Sequence, residues 1–552
     1  MRETPSLNRS EARPATPPAE AAGRYLADAP PRRRHLLLAA GIVAAVYLAG
    51  VTGQWWPTPD SALYQGLARS LIQGEGYRFN GRVNTDVTPG MPAILAALRW
   101  LFGPACGPPN LFVALTGLGS LAMAYLALSR LASRRMALAA VLAAAASYKY
   151  FHYCHLILTD STFSLLFWGF LYASVRYLRG GGRWLAAALL LAGLAVLVRA
   201  PGLLILGPAA AGLVLHRGFG TRPARRLVGG AAVLGVLTAL AGGLYLLARA
   251  ASEAVPLYAS GPRAEVDPAA RLVHVGRGLA ALPAVVARLF TAQSSAAVGA
   301  AILVLAAVGA VCLWRRGRRL AATTCLLCVV GSPFLGGARA IRARYLMAIL
   351  PLLALLCLEG LCWLVDRVVR WRSRPPGRAA YVTGVSLFVG LIVVVNAPKV
   401  ARDTFQYGYA AWTGRYWQTI EDGAFSDLAA NAEALRGLFG PDEPVAVRRD
   451  RSSMLHLLSE RRMAPFLKLP RGRDPATAAD AERIYANVRA RPDVRGIVLD
   501  RAGIKPAFAG RLERLVTEEP AWRLLHETRT CRVFRRATAA VPATQPAEGT
   551  GP

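Results

Sequence analysis

The chain contains a series of long apolar runs, and these constrain its fold more than any other feature. Its 552 residues are 54% hydrophobic, and many runs approach the roughly 17–25 residues that a helix needs to cross a bilayer. We predict about eleven transmembrane helices, with approximate boundaries. The predicted spans are Leu36–Gly53, Asn110–Leu131, Met136–Tyr150, Leu156–Leu178, Trp184–Val198, Gly202–Leu215, Leu227–Ala248, Ser295–Leu313, Leu320–Leu335, Tyr345–Val365 and Tyr381–Asn396. The expected fold class is mainly α, a polytopic membrane helical bundle.

The net charge of +33 first suggests a protein that binds nucleic acid. The distribution of arginine argues against this partner. Arginines cluster after the second, fourth, sixth, eighth and tenth predicted helices, and Arg32–Arg34 precede the first. Basic residues on alternate loops are typical of cytoplasmic loops. The pattern predicts a multi-pass protein of the cytoplasmic membrane with a cytoplasmic N-terminus. The loop after the first helix and the C-terminal region are then outside.

Composition divides the chain into four regions. Residues 1–31 and 537–552 are rich in Pro and Ala and are predicted to be disordered tails. Residues 32–397 form the transmembrane domain. Residues 398–536 are more polar and are predicted to form a small extracytoplasmic α/β domain. Its predicted strands are 444–447, 494–499 and 530–535, and its predicted helices are 427–439, 477–490 and 507–517.

The loop after the first predicted span carries an acidic residue at the membrane boundary. Thr58-Pro59 predicts a helix start, with Thr58 as N-cap. Asp60 then lies in the first turn, with Tyr64 one turn later on the same face. A second helix is predicted after Thr88, so two helices lie along the surface and frame a groove between water and lipid. Asp60 is either a functional carboxylate or a residue that complements the helix dipole.

This loop resembles the first outer loop of the GT-C glycosyltransferases. The resemblance covers residues 36–396, and its closest-looking members are bacterial relatives of protein O-mannosyltransferases and of aminoarabinose transferases acting on lipid A. It implies a polytopic enzyme that moves a sugar from a polyprenyl-phosphate donor to an envelope lipid, glycan or protein. A single Asp at the loop start, without the paired Asp-Glu of the protein mannosyltransferases, argues against a protein acceptor. The matching residues are Pro59-Asp60-Ser61-x-x-Tyr64, Ala68-Arg69-Ser70-Leu71, Gly74-x-Gly76-Tyr77, Pro89-Gly90-x-Pro92 and Leu101-Phe102-Gly103.

A second carboxylate, Asp160, is predicted at the outer entrance of the fourth helix. An ionisable group there is costly unless it is solvated or paired, which favours a function. The alternative is that Thr159 or Asp160 only caps the helix. Lys149 and His155 precede Asp160 on an outer turn and are assigned to substrate binding. The histidine is suited to a metal or a sugar hydroxyl, or is simply interfacial.

Two arginines on the predicted outer side stand against the positive-inside trend. Arg199 follows the fifth helix, and Arg344 precedes Tyr345 at the start of the tenth. A guanidinium makes bidentate contacts to phosphate, so we assign both arginines, with Tyr345, to the lipid phosphate. The alternative is that they extend to lipid headgroups.

The mechanism predicted from these residues is direct displacement at the anomeric carbon. Asp60 takes the acceptor proton and the arginines stabilise the leaving phosphate, which implies inversion at the sugar. Asp160 is the second catalytic carboxylate, and a divalent metal bridging it to Asp60 is a weaker option. The rival classes are a transporter or flippase of a lipid-linked precursor, and a non-catalytic envelope protein. A transporter normally carries its charges or helix breaks at mid-membrane depth, whereas these charges cluster at the outer boundary.

Cysteine contributes little to the functional prediction. Cys325 and Cys328 have metal-like spacing, but they lie inside an apolar helix and are predicted to be core residues. Cys106, Cys154 and Cys531 are predicted outside, where a disulfide between two of them is allowed but not required.

Overall fold

The computed structural model describes residues 31–84, 87–179, 182–199, 268–335, 343–371, 378–416, 427–467, 478–500, 506–528 and 531–537. The mainly helical fold class is confirmed. The helices before the C-terminal sheet region are α1 (Arg33–Ala49), α2 (Pro59–Ile72), α3 (Gly90–Phe102), α4 (Gly107–Leu131), α5 (Arg134–Ala145), α6 (Tyr148–Tyr153), α7 (Asp160–Leu178), α8 (Trp184–Val198), α9 (Pro268–Thr291), α10 (Ala296–Arg315), α11 (Arg319–Leu335), α12 (Leu350–Trp371), α13 (Arg378–Arg402) and α14 (Gly408–Trp412).

Four helical stretches of the described residues are long and apolar enough to cross a membrane. They are Gly107–Leu131, Ala296–Arg315, Ala343–Trp371 and Ala379–Trp412. On the last of these, Leu387, Leu391 and Val394 are more than 60% exposed on one face, as expected where side chains contact lipid. The predicted spans Gly202–Leu215 and Leu227–Ala248 lie outside the described residues. The count of about eleven spans therefore stays a prediction.

The structure places some boundaries differently from the sequence prediction. The predicted span Met136–Tyr150 is two helices, because α5 ends at Ala145 and Ser147 caps a new helix, α6, by accepting from the Tyr150 N–H at 3.3 Å. The predicted span Tyr345–Val365 begins with a 3₁₀ segment, Ala343–Ile349, before α12. Helix α9 was not predicted, and it lies between the predicted spans Leu227–Ala248 and Ser295–Leu313. Its arginines lower its mean hydropathy, although Val286, Leu289 and Phe290 are buried.

The C-terminal region contains five strands and four helices. They are α15 (Leu428–Leu438), β3 (Val445–Arg448), α16 (Arg449–Ser459), β4 (Met463–Leu467), α17 (Ala478–Arg489), β5 (Gly496–Asp500), α18 (Pro506–Thr517), β6 (Trp522–Glu527) and β7 (Cys531–Arg536). The strands form a mixed sheet in the order β4-β3-β5-β7-β6. Strands β3 and β4 are parallel, as are β3 and β5, whereas β7 runs antiparallel to both β5 and β6. Helix α16 and strands β4 and β6 were absent from the sequence prediction.

This sheet region packs directly on the loop that carries Asp60. After α2, a hairpin of β1 (Arg78–Phe79) and β2 (Arg82–Val83) turns at Asn80. The Asn80 side chain donates to the Met463 carbonyl at 2.6 Å and accepts from the Met463 N–H at 2.8 Å. Arg69 and Glu460 form a salt bridge at 2.7 Å. These contacts place the sheet region beside the C-terminal end of α2 and the hairpin that follows it.

His456 gives this contact a testable pH dependence. Its Nδ1–H donates to the Arg461 carbonyl at 2.7 Å, and its Nε2 accepts from the Asn80 N–H at 3.2 Å. Burial lowers the pKa of His456, so the packed state holds the neutral ring. The neutral ring therefore stabilises the contact between the hairpin and the sheet region fully above about pH 6.5, the ordinary histidine pKa. This stabilisation decreases as the pH falls toward the lowered pKa of His456.

We therefore expect proteolysis of the hairpin and β4 to accelerate between about pH 7.5 and about pH 5.5. His456→Gln should flatten this pH profile, whereas the exposed His35→Gln should leave it unchanged. An identical profile for wild type and His456→Gln would show that another group governs the contact.

Candidate active site

Asp60 lies at the start of α2 and has a guanidinium partner. The helix is capped by its neighbours, because Thr58 Oγ1 accepts from the Ser61 N–H at 3.0 Å and Ser61 Oγ accepts from the Thr58 N–H at 3.1 Å. The Asp60 carboxylate instead accepts from Arg344, with Nη1 and Oδ2 2.6 Å apart. Asp60 thus makes a long-range ion pair in addition to its position at the helix start.

Asp160 begins α7 and is almost fully buried, with its side chain 2% exposed. The N-cap residue Thr159 makes no side-chain capping hydrogen bond, so the capping alternative is not realised by that residue. The Asp160 carboxylate is instead paired with the guanidinium of Arg199, which follows the last residue of α8. A buried carboxylate is stable when it is paired and hydrogen-bonded, as here.

Two packing contacts position the arginines. Trp168 Nε1 donates to the Ala348 carbonyl at 2.9 Å and ties α7 to the 3₁₀ segment that carries Arg344. Gly90 lets α3 approach the end of α8, since a Cβ there would lie 2.6 Å from the Leu197 carbonyl oxygen. The glycine of the Pro89-Gly90-x-Pro92 pattern therefore allows close packing against Leu197, which lies two positions before Arg199 in the chain.

The ring of Tyr345 brings the two pairs together. The guanidinium carbon of Arg199 lies 5.4 Å from the ring centroid, and that of Arg344 lies 5.6 Å from it. Each distance is within the range of a cation–π interaction. Tyr345 thus contacts both arginines, and it was predicted to contact substrate. In the structure its ring lies between the two guanidinium groups, and its contact with substrate stays a prediction.

The two carboxylates differ in access to solvent. The Asp60 side chain is 27% exposed and that of Asp160 is 2% exposed. Tyr64 is buried beside them, and burial raises the pKa of its phenol well above the usual range, with the Asp60 charge raising it further. The phenol is therefore a neutral hydrogen-bonding group at neutral pH. Asp60 is the carboxylate that a substrate can reach.

Comparison with known proteins relates this arrangement to a family. Residues 86–246, which include Asp160 and Arg199, match the family of dolichyl-phosphate-mannose-protein mannosyltransferase. The fold is similar to that of ArnT from Cupriavidus metallidurans bound to undecaprenyl phosphate. The TM-score is 0.55 at 14% identity, over 91% of this chain and 98% of that chain. The matched family and ArnT both belong to the GT-C glycosyltransferase superfamily, and the fold of this chain is similar to theirs.

Other GT-C structures extend the comparison. The apo oligosaccharyltransferase of Archaeoglobus fulgidus aligns with a TM-score of 0.52 at 12% identity, over 93% of this chain and 76% of that chain. AglB from the same organism, in complex with an inhibitory peptide and a dolichol-phosphate, gives 0.51 at 14% identity, over 92% and 75%. No curated protein sequence gives a significant match. At these identities the similarity establishes the fold, and substrates need a separate argument.

Two residues predicted to bind substrate make their contacts apart from the two carboxylate–guanidinium pairs. The ring nitrogens of His155 are each 2.7 Å from a backbone carbonyl oxygen, one of Tyr47 and one of Phe151, so His155 joins α1 to α6. Lys149 lies 5.3 Å from the ring centroid of Tyr148 in a separate basic cluster. The sequence separation from Asp160 is short for both, but the turn before α7 directs them away.

Among the described residues, no three His, Cys, Asp or Glu side chains are grouped to hold a metal ion. The side chains that lie beside the Asp60 and Asp160 carboxylates are those of Arg344 and Arg199. Cys106 and Cys154 are free thiols. Cys325 and Cys328 are buried, in agreement with their predicted core position.

Proposed function

We propose that this protein transfers a sugar from a polyprenyl-phosphate carrier to an envelope acceptor. The observation that carries the proposal is the pair of carboxylate–guanidinium contacts, Asp60 with Arg344 and Asp160 with Arg199, joined by Tyr345. Such a site offers a base and an anion-binding surface together. The matched family acts with dolichyl-phosphate-mannose by its description, and ArnT and AglB were solved with polyprenyl phosphates.

The proposed reaction is a single displacement. The acceptor hydroxyl oxygen bonds to the anomeric carbon, and the bond from that carbon to the phosphate oxygen breaks. The acceptor proton goes to Asp60, and the electron pair stays on the polyprenyl phosphate. Attack opposite the leaving group inverts the sugar configuration. Arg344 and Arg199 are placed to stabilise the charge that develops on the phosphate.

Arg344 has a donor available for this phosphate. Its Nη1 is used by Asp60, but its Nε is buried and has no hydrogen-bond partner among the described residues. A buried donor without a partner is unfavourable, so a phosphate oxygen would relieve that cost when the donor binds. Arg199 is 11% exposed and already pairs with Asp160, which suits it to a supporting electrostatic role.

The reaction is proposed for the outer face of the cytoplasmic membrane, with a cytoplasmic N-terminus. The support is the alternating arginine pattern, together with the packing of the sheet region on the Asp60 loop. The sheet region then lies outside and forms one wall beside α2. A lipid or glycan acceptor is favoured over a protein, because the loop start carries one acidic residue.

The test is transfer of labelled sugar by the purified full-length protein. The donors are undecaprenyl-phosphate sugars, and the acceptor is an extract of envelope lipids and glycans. We expect an acceptor-dependent product and release of undecaprenyl phosphate in detergent. The same reaction should occur when both substrates are outside sealed right-side-out vesicles. Absence of product with every donor would reject the glycosyltransferase activity and favour a transporter. Activity in detergent but not in the vesicles would reject only the outer face as the side of the reaction.

A further inference from the structure

A second group of basic side chains lies outside the candidate active site, near the ends of three helices. It consists of Lys149 on α6, Arg288 in the last turn of α9 and Lys399 near the end of α13. Lys149 and Lys399 are half-buried and Arg288 is exposed. The three residues come from helices that are distant in sequence. Their proximity is therefore a property of the fold.

The aromatic ring of Tyr148 and the side chain of Asn396 hold this group together. The ammonium groups of Lys149 and Lys399 lie 5.3 Å and 5.8 Å from the Tyr148 ring centroid. Asn396 is buried, accepts from the Tyr148 N–H at 3.1 Å and donates to the Phe290 carbonyl at 2.6 Å. Helices α6, α9 and α13 are thus joined by hydrogen bonds, and the cations cannot easily separate.

The charges of this group are not balanced by the described residues. Lys149 experiences the positive charges of Lys399 and Arg288 and the negative charge of Asp403. Asp403 already accepts from the Tyr148 hydroxyl at 2.8 Å and pairs with Arg402 at 3.0 Å. Among the described residues, Lys149 and Arg288 make no hydrogen bond or salt bridge.

Like charges that are held close together in a partly buried place repel one another and disfavour the packed arrangement. An anion removes that repulsion. A basic pocket between transmembrane helices is a general form of lipid-headgroup site. Lys399 also donates to the Ala292 carbonyl at 2.9 Å, which fixes its ammonium beside the C-terminal end of α9.

We propose that Lys149, Arg288 and Lys399 bind the phosphate of an anionic lipid at these helix ends, as a site separate from the sugar-transfer site. A phospholipid phosphodiester and a polyprenyl monophosphate share the chemistry that these cations recognise. The proposal does not depend on the proposed sugar transfer, because it rests on the charges and packing of α6, α9 and α13 alone.

The experiment measures lipid binding to the delipidated full-length protein in neutral detergent by native mass spectrometry. The probes are phosphatidylglycerol, phosphatidylcholine with the same acyl chains, and undecaprenyl phosphate. We expect phosphatidylglycerol to be retained over phosphatidylcholine. Loss of one cation should weaken binding by about fivefold, and Lys149→Gln with Lys399→Gln should weaken it by at least about twentyfold. The exposed outer-loop variant Arg82→Gln is the matched control.

Each outcome decides the proposal. Equal binding of the two phospholipids, or unchanged binding by the double variant, would overturn it. Retention of undecaprenyl phosphate alone assigns the site to the monophosphate, provided that this retention survives Arg344→Lys and is lost in the double variant. If the double variant does not fold, Arg288→Gln replaces it, because Arg288 is exposed and its removal leaves the interhelical hydrogen bonds intact.

Discussion

Asp60→Asn is expected to lower sugar transfer by roughly two to four decades, the usual loss when a general base is removed. The substitution retains the size of the side chain and removes its charge. The helix start should persist, because Thr58 and Ser61 form the cap. The measurement is kcat with a saturating donor in the reconstituted transfer assay. Thermal unfolding measured alongside shows whether the pairing with Arg344 also contributes to stability.

Two controls separate a base from a charge that only holds Arg344. Glu75→Gln removes a carboxylate from the same loop, near the other end of α2, and should leave transfer unchanged. Asp60→Glu retains the negative charge but displaces the carboxylate, so a base should lose most of its rate while a charge partner should lose little. Transfer by Asp60→Asn within about threefold of wild type would place the base on another residue.

Much of the helical architecture could be predicted because the signals are local. Residues Trp184–Val198 were predicted as a span and form α8 with the same limits. The hairpin at Asn80 was missed, although Asn-Gly is a strong turn signal and both residues have positive φ, 56° and 74°. Helix α9 was missed for a different reason, since its apolar face packs on neighbours while its arginines reduce its hydropathy. Helix α9 thus depends on tertiary packing, which no local sequence pattern indicates.

The candidate site shows the same division between local and long-range information. Asp60, Asp160, Arg199 and Arg344 were each selected from position along the chain and from charge. Their pairing could not be selected in that way, because Asp60 and Arg344 are separated by 284 positions. Lys149 and His155 were assigned to the same site on proximity in sequence, and in the structure their contacts are with Tyr148, Tyr47 and Phe151. A single short turn before α7 separates them from Asp160, and no local pattern specifies its direction.

Arg344→Lys is expected to raise the apparent Michaelis constant for the polyprenyl-phosphate sugar by about tenfold to a hundredfold, as a lost charge-assisted hydrogen bond would. Lysine keeps the positive charge and can still pair with Asp60. It lacks the Nε donor that is buried without a partner among the described residues, and it lacks the planar group that lies over Tyr345. The constant for the acceptor should change much less.

Arg199→Lys should have a smaller effect on the donor constant, because Arg199 is largely committed to Asp160. Arg69→Lys, on the Glu460 contact with the sheet region, is the control and should leave both constants unchanged. The ratio of donor to acceptor effects distinguishes phosphate binding from a structural role, which would affect both constants. If neither Arg344→Lys nor Arg199→Lys alters the donor constant or kcat, the guanidinium groups do not contact the donor phosphate. The main physical support for a lipid-phosphate donor would then be lost.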